Sequence, residues 1–165
     1  MARPRTLPDS AVLGSVRQLL AAGGDKAVSF GTVGRATGLA PSTLAQRYGS
    51  VAAMRAAAMQ DGWQVLSEAT AATIDAAAGK GPQGLLKALD AVAGEAGLLL
   101  AGSTGEAARA RAADWRRMVE TALALRRGSG EKAREGAAIL FAAWQGQALW
   151  GGDGFRLKDA AKRLG

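Results

Sequence analysis

Glycine cuts this sequence at seven places: Gly23-Gly24, Gly38, Gly49, Gly81 before Pro82, Gly102 to Gly105, Gly128 to Gly130, and Gly151 to Gly154. Each intervening segment carries its apolar residues at helical spacing, and no stretch alternates apolar and polar as a half-buried strand does. Alanine, the best helix former, fills 39 of the 165 positions. The pattern therefore predicts an all-α chain whose helices stop where glycine stops them.

The predicted helices follow from caps and periodicity. Asp9 and Ser10 can cap a first helix to about Ala22, with Val12, Leu13, Val16, Leu19 and Leu20 on one face. Ser29 caps a second, over 30–37, and Pro41 suits the first turn of a third, over 41–48. Ser50 caps a fourth, over 51–78. Further helices are predicted over 83–100, bent near Gly94 or Gly97, then over 106–127 and 131–150, with a short terminal one over 155–164.

Composition removes several chemistries. With neither cysteine nor histidine, the chain lacks thiol nucleophiles, thiolate and imidazole metal sites, and serine–histidine catalysis. Gly79-Lys80-Gly81-Pro82 lacks the spacing of a phosphate loop, and no carboxylate cluster reads as a metal site. The expectation is a non-enzyme without cofactor or metal. The apolar run from Gly97 to Gly102 is far too short to span a bilayer, and nothing after Met1–Pro8 reads as a signal peptide, so no membrane partner and a cytoplasmic location are expected.

Net charge is +7, and it is uneven. Residues 1–55 hold Arg3, Arg5, Arg17, Lys26, Arg35, Arg47 and Arg55 against Asp9 and Asp25, a balance of +5. A basic first third suggests a polyanion partner; the alternative is an ordinary solvated surface.

The informative stretch runs from Ser10 to Met54. Two short helices meet across Gly38-Leu39-Ala40, which is the helix-turn-helix arrangement. Phe30, Val33, Leu39, Leu44 and Tyr48 are expected to meet the apolar face of the first helix and fix how the third projects. Pro41, Ser42, Thr43, Gln46 and Arg47 supply the small and polar residues that a major-groove helix needs.

Residues 29–50, and residues 10–55 more broadly, resemble the DNA-binding domain of the TetR (tetracycline repressor) family of bacterial regulators. Gly24 falls on that family's glycine after the first helix, Thr43-Leu44 on its recognition-helix Thr-Leu, and Tyr48-Gly49-Ser50 on its Phe-x-Ser. The resemblance implies a DNA-binding domain over 1–50 and a helical regulatory and dimerisation domain over 51–165. It implies a homodimer on a palindromic double-stranded operator, released by an unknown small-molecule effector. Ala45, Val51 and Ala40 depart from the family, standing for a DNA-gripping tyrosine, a phosphate-binding lysine and a Ser/Thr cap. These departures keep a second reading open: a helical dimer with degenerate DNA binding that serves protein interaction or small-ligand binding.

Candidate residues follow. Arg47 and Arg35 are phosphate candidates, Gln46 can read adenine, and Ser42 and Thr43 can touch base or phosphate. Arg3 and Arg5 suit either a basic arm or a plain tail. Trp63, Leu66, Leu89, Val92, Trp115, Met118 and Trp144 are ligand-pocket candidates, with ordinary core packing as the alternative. Ala137, Leu140, Phe141 and Trp144 form an apolar stripe that suits a dimer interface or intramolecular packing, with Gly136 and Gly146 allowing close approach.

Overall fold

The computed structural model describes residues 7–102, 104–151 and 159. These form seven α-helices and no strand: α1 (Asp9–Gly23), α2 (Phe30–Thr37), α3 (Pro41–Tyr48), α4 (Val51–Ala76), α5 (Pro82–Gly102), α6 (Glu106–Arg127) and α7 (Glu131–Trp150). A 3₁₀ turn over Asp25–Ala27, which periodicity does not signal, joins α1 to α2. Arg3 and Arg5 lie outside the described residues, as does the helix expected over 155–164 apart from Asp159. No described helix is long and apolar enough to cross a membrane.

Contacts divide the chain into two compact units, Met1–Gln64 and Val65–Gly165. The division falls inside α4, whereas the sequence reading begins its second region at residue 51.

The first unit closes around Val12, Leu13, Val16, Val28, Val33, Leu44, Met54 and Ala58, with Leu7, Leu19, Leu20, Phe30, Leu39, Tyr48 and Val51 packed against them. Burying each large aliphatic side chain contributes about 1.5–3 kcal/mol, which gives these short helices the stability they lack alone. Their ends are set locally. Ser29 accepts from the Thr32 amide at 3.0 Å while Thr32 Oγ1 accepts from the Ser29 amide at 2.8 Å, a reciprocal cap on α2. Gly38 ends α2 in the left-handed region at φ 73°, and its amide donates to the Gly34 carbonyl. Ser50 Oγ accepts from the Ala53 amide at 3.0 Å and caps α4.

One cap differs from expectation. Pro8 precedes α1 without a side-chain cap, and Asp9 is already helical. The Asp9 carboxylate is engaged elsewhere, by α3.

In the second unit α7 packs on both α5 and α6, and α5 packs on α6. Leu85, Leu86, Leu89, Ala96 and Leu99 of α5 are buried, as are Trp115, Val119, Ala122 and Leu123 of α6. Helix α5 continues through Gly94 and Gly97 to Gly102. Helix α4 stops at Ala76, two residues before its predicted end, and Arg126 binds carbonyls in its last turn and in the turn that follows. The guanidinium donates to Ile74, Ala77 and Lys80, each at 3.1 Å, satisfying acceptors that a helix end leaves open.

Candidate nucleic-acid interface

The α2–α3 junction rests on glycine at two points. Gly38 supplies the left-handed turn. Gly34 lets the turn fold back: a Cβ there would lie 2.7 Å from the Leu39 carbonyl oxygen, closer than real contacts come. Both short helices are amphipathic. Val33 and Leu44 are fully buried, while α3 turns Pro41, Ser42, Thr43 and Gln46 to the surface. Pro41 occupies the first turn, where its missing N–H costs nothing.

The sequence-derived DNA candidates therefore divide. Ser42, Thr43 and Gln46 share one exposed helix surface, and Arg35 is exposed on α2. Arg47 is half-buried and already engaged. Its Nη1 donates to the Leu7 carbonyl at 3.1 Å and lies 3.2 Å from Asp9 Oδ1. The Tyr48 hydroxyl donates to the same Asp9 oxygen at 2.8 Å. Partial burial of the phenol, then the bond to Asp9, raises the Tyr48 pKa above its ordinary value, while Arg47 works in the lowering direction.

A second polar lock in this unit escaped the sequence reading. Arg17, on the apolar side of α1, is buried and pairs with Asp61 of α4 at 2.6 Å; it also donates to the Ala58 carbonyl at 3.2 Å. Its signal was present, because Arg17 lies four residues after Leu13 and three before Leu20, in the middle of an apolar stripe. A further pair, half-buried Arg55 with exposed Asp25 at 2.7 Å, links α4 to the 3₁₀ turn.

The ligand-pocket candidates are placed as follows. Trp63 and Leu66 are buried on α4, Leu89 is buried on α5, and Val92 and Met118 are half-buried. Trp115 and Trp144 are buried and pack with Phe141, with ring centroids 5.6–6.2 Å apart. Edge and tilted contacts of this kind fill space rather than line it. Both indole N–H groups are satisfied: Trp115 donates to Thr70 Oγ1 at 2.9 Å and Trp144 to Asp90 Oδ1 at 2.8 Å. A surface hollow of about 440 Å³ lies at the start of α5, lined by Gly81, Pro82, Gln83, Gly84 and Arg127, none of them a pocket candidate.

The stripe expected on α7 is placed as follows. Ala137, Leu140, Phe141 and Trp144 are all buried within a single chain, because this side of α7 faces α5 and α6. The outward apolar residues in this unit include Leu125 (74% exposed), Ile139 (48%), Leu149 (60%) and Trp150 (88%). Gly136 likewise serves the chain's own packing, since a Cβ there would meet the Arg127 guanidinium at 2.5 Å, and a Cβ at Gly146 would meet nothing within 4 Å.

No protein-family model, no curated protein and no solved structure matches the chain.

Proposed function

We propose that this chain is a sequence-specific DNA-binding transcriptional regulator, similar to TetR-type repressors, with α3 as its recognition helix. One observation carries the reading. A short helix braced by a glycine-built turn presents Ser42, Thr43 and Gln46 together on an open surface, within the strongly basic first third of the chain. Side chains of these types suit base edges and phosphates, and a short helix held by a tight turn is compatible with groove reading. Gln46 reads a base edge in this proposal, and Arg35 meets phosphate. The regulator acts as a homodimer on a palindromic operator and releases it when a small effector binds. The outward residues Leu125, Ile139, Leu149 and Trp150 close its two-fold interface.

A second reading draws on the engagement of Arg47 by Leu7 and Asp9. With its best phosphate ligand occupied and alanine at position 45, the protein on that reading is a helical dimer that acts through protein contacts or a small ligand.

Selection from random-sequence duplexes with the purified protein separates the two. The regulator enriches a palindrome, and Gln46→Ala then costs about 1–3 kcal/mol on that site and relaxes preference at one position. No enriched sequence overturns the regulator in favour of the second reading.

A further inference from the structure

The Arg47 guanidinium spends one nitrogen on two contacts. Nη1 carries both the Leu7 carbonyl and the Asp9 carboxylate. A guanidinium has five N–H donors, and the contacts to Leu7 and Asp9 both use Nη1, with Tyr48 as a further side-chain neighbour. Arg47 lies one helical turn beyond Thr43, so it borders the exposed row of α3. Asp9 is mostly exposed, its side chain 65% open, and it is held in place by the Tyr48 hydroxyl. A carboxylate is thus fixed against the one arginine of α3, at the edge of the surface assigned above to nucleic acid.

We propose that Asp9 is a built-in competitor of phosphate for Arg47. The inference rests on the DNA-binding reading and adds a control to it. The carboxylate of this pair is mostly exposed, which screens it and weakens its hold, so a polyanion can compete for the guanidinium. The carboxylate stays close while it does so. A phosphate on the same guanidinium would lie within a Debye length of Asp9, where like charges repel measurably in dilute salt and less at physiological ionic strength. Asp9 therefore subtracts from every phosphate contact at this end of α3, whatever the sequence, and leaves base reading by Gln46 to dominate. Tyr48 fixes the carboxylate so that it cannot swing away when the polyanion arrives.

The test measures binding of a short DNA duplex and, separately, a heparin oligosaccharide, which is a polyanion without bases. The proteins are wild type, Asp9→Asn, Asp9→Ser, Arg47→Ala, Asp9→Asn with Arg47→Ala, and Asp25→Asn. Asparagine keeps an acceptor for Tyr48 and removes the charge. Serine is a second neutral choice at the start of α1, and circular dichroism melting shows whether each variant is folded. Asp25→Asn removes the same charge from a pair of the same kind, an exposed carboxylate on half-buried Arg55.

Both Asp9 variants are expected to bind each polyanion about threefold tighter per protomer at about 10 mM salt, with the gain shrinking below twofold at about 150 mM. The gain disappears in the Arg47→Ala background, and Asp25→Asn reproduces only a small part of it. Unchanged affinity in the folded Asp9 variants overturns the proposal. So does an equal gain with Arg47 absent, or with Asp25→Asn, because either makes the effect one of overall charge. If the duplex is bound with sequence preference but Asp9 has no effect, this proposal alone falls. If no variant binds the duplex while the heparin pattern holds, the DNA reading falls and the competition at Arg47 stands.

Discussion

The two halves of this molecule are organised by different means. Residues up to Gln64 form short helices whose ends are specified one by one: a reciprocal Ser29–Thr32 cap, left-handed Gly38, Pro41 in a first turn, Ser50 over α4. From Val65 onward the helices are long and rich in alanine, and a small group of large rings gives them a register, Trp115, Phe141 and Trp144 in mutual contact. Turn chemistry fixes angles, and a bulky ring among methyl groups fixes depth and rotation. The first strategy suits a unit that must hold one helix at a set projection. The second suits a bundle that only has to close.

That contrast predicts where the molecule is fragile. Trp115→Ala is expected to have the largest effect. It removes a fully buried indole from the ring cluster and leaves the Thr70 hydroxyl without its donor, so stability falls by about 3–5 kcal/mol in urea unfolding followed by circular dichroism. A loss below about 1 kcal/mol breaks the idea that the rings organise the second unit.

Gly34→Ala comes next and tests the turn. Its Cβ would press on the Leu39 backbone carbonyl, which has no flexible end to move aside, so a loss of about 1–3 kcal/mol is expected. Gly14→Ala is its counterpart in α1. Nothing lies within 4 Å of a Cβ there, and alanine is the better helix former, so stability rises by about 0.5–1 kcal/mol. Two losses would show that propensity does not govern Gly14, and two gains that packing does not govern Gly34.

The smallest effect sharpens the same half. Tyr48 is the chain's single tyrosine, so tyrosinate absorbance reports it alone. Its pKa is raised by burial and by Asp9, which means the folded state holds the phenolic proton more tightly than the unfolded chain does. The stabilisation is fully present below the unfolded value of about 10 and is lost as pH climbs through the higher folded value. The expected titration midpoint lies above 10 and drops in Asp9→Asn, with Tyr48→Phe flattening stability over the same alkaline window. A midpoint at or below the ordinary value means that Asp9 does not hold the hydroxyl.

Much of this architecture is local and was legible in the chain. The bounds of α2 and α3, the stop at Gly38 and the caps at Ser29 and Ser50 depend on residues a few positions apart, and propensity and hydrogen-bond chemistry act at that range. The exposed row Ser42, Thr43 and Gln46 follows from the same periodicity, because Leu44 and Val33 must turn inward.

What tertiary structure alone decided lies between residues far apart. The Asp9 side chain left its expected cap for Arg47 and Tyr48, which stand about forty positions away, and Arg17 found Asp61 across a similar gap. Helix α7 offers apolar residues on two sides, and its sequence does not say which side meets its own bundle. The indoles choose: Trp144 can bury its ring and still give its N–H to Asp90 when the stripe through Ala137, Leu140 and Phe141 faces inward, and Ile139 and Leu149 are then left outside. Periodicity specifies a helix and its faces; a polar group that must find a distant partner before it can be buried specifies which face goes in.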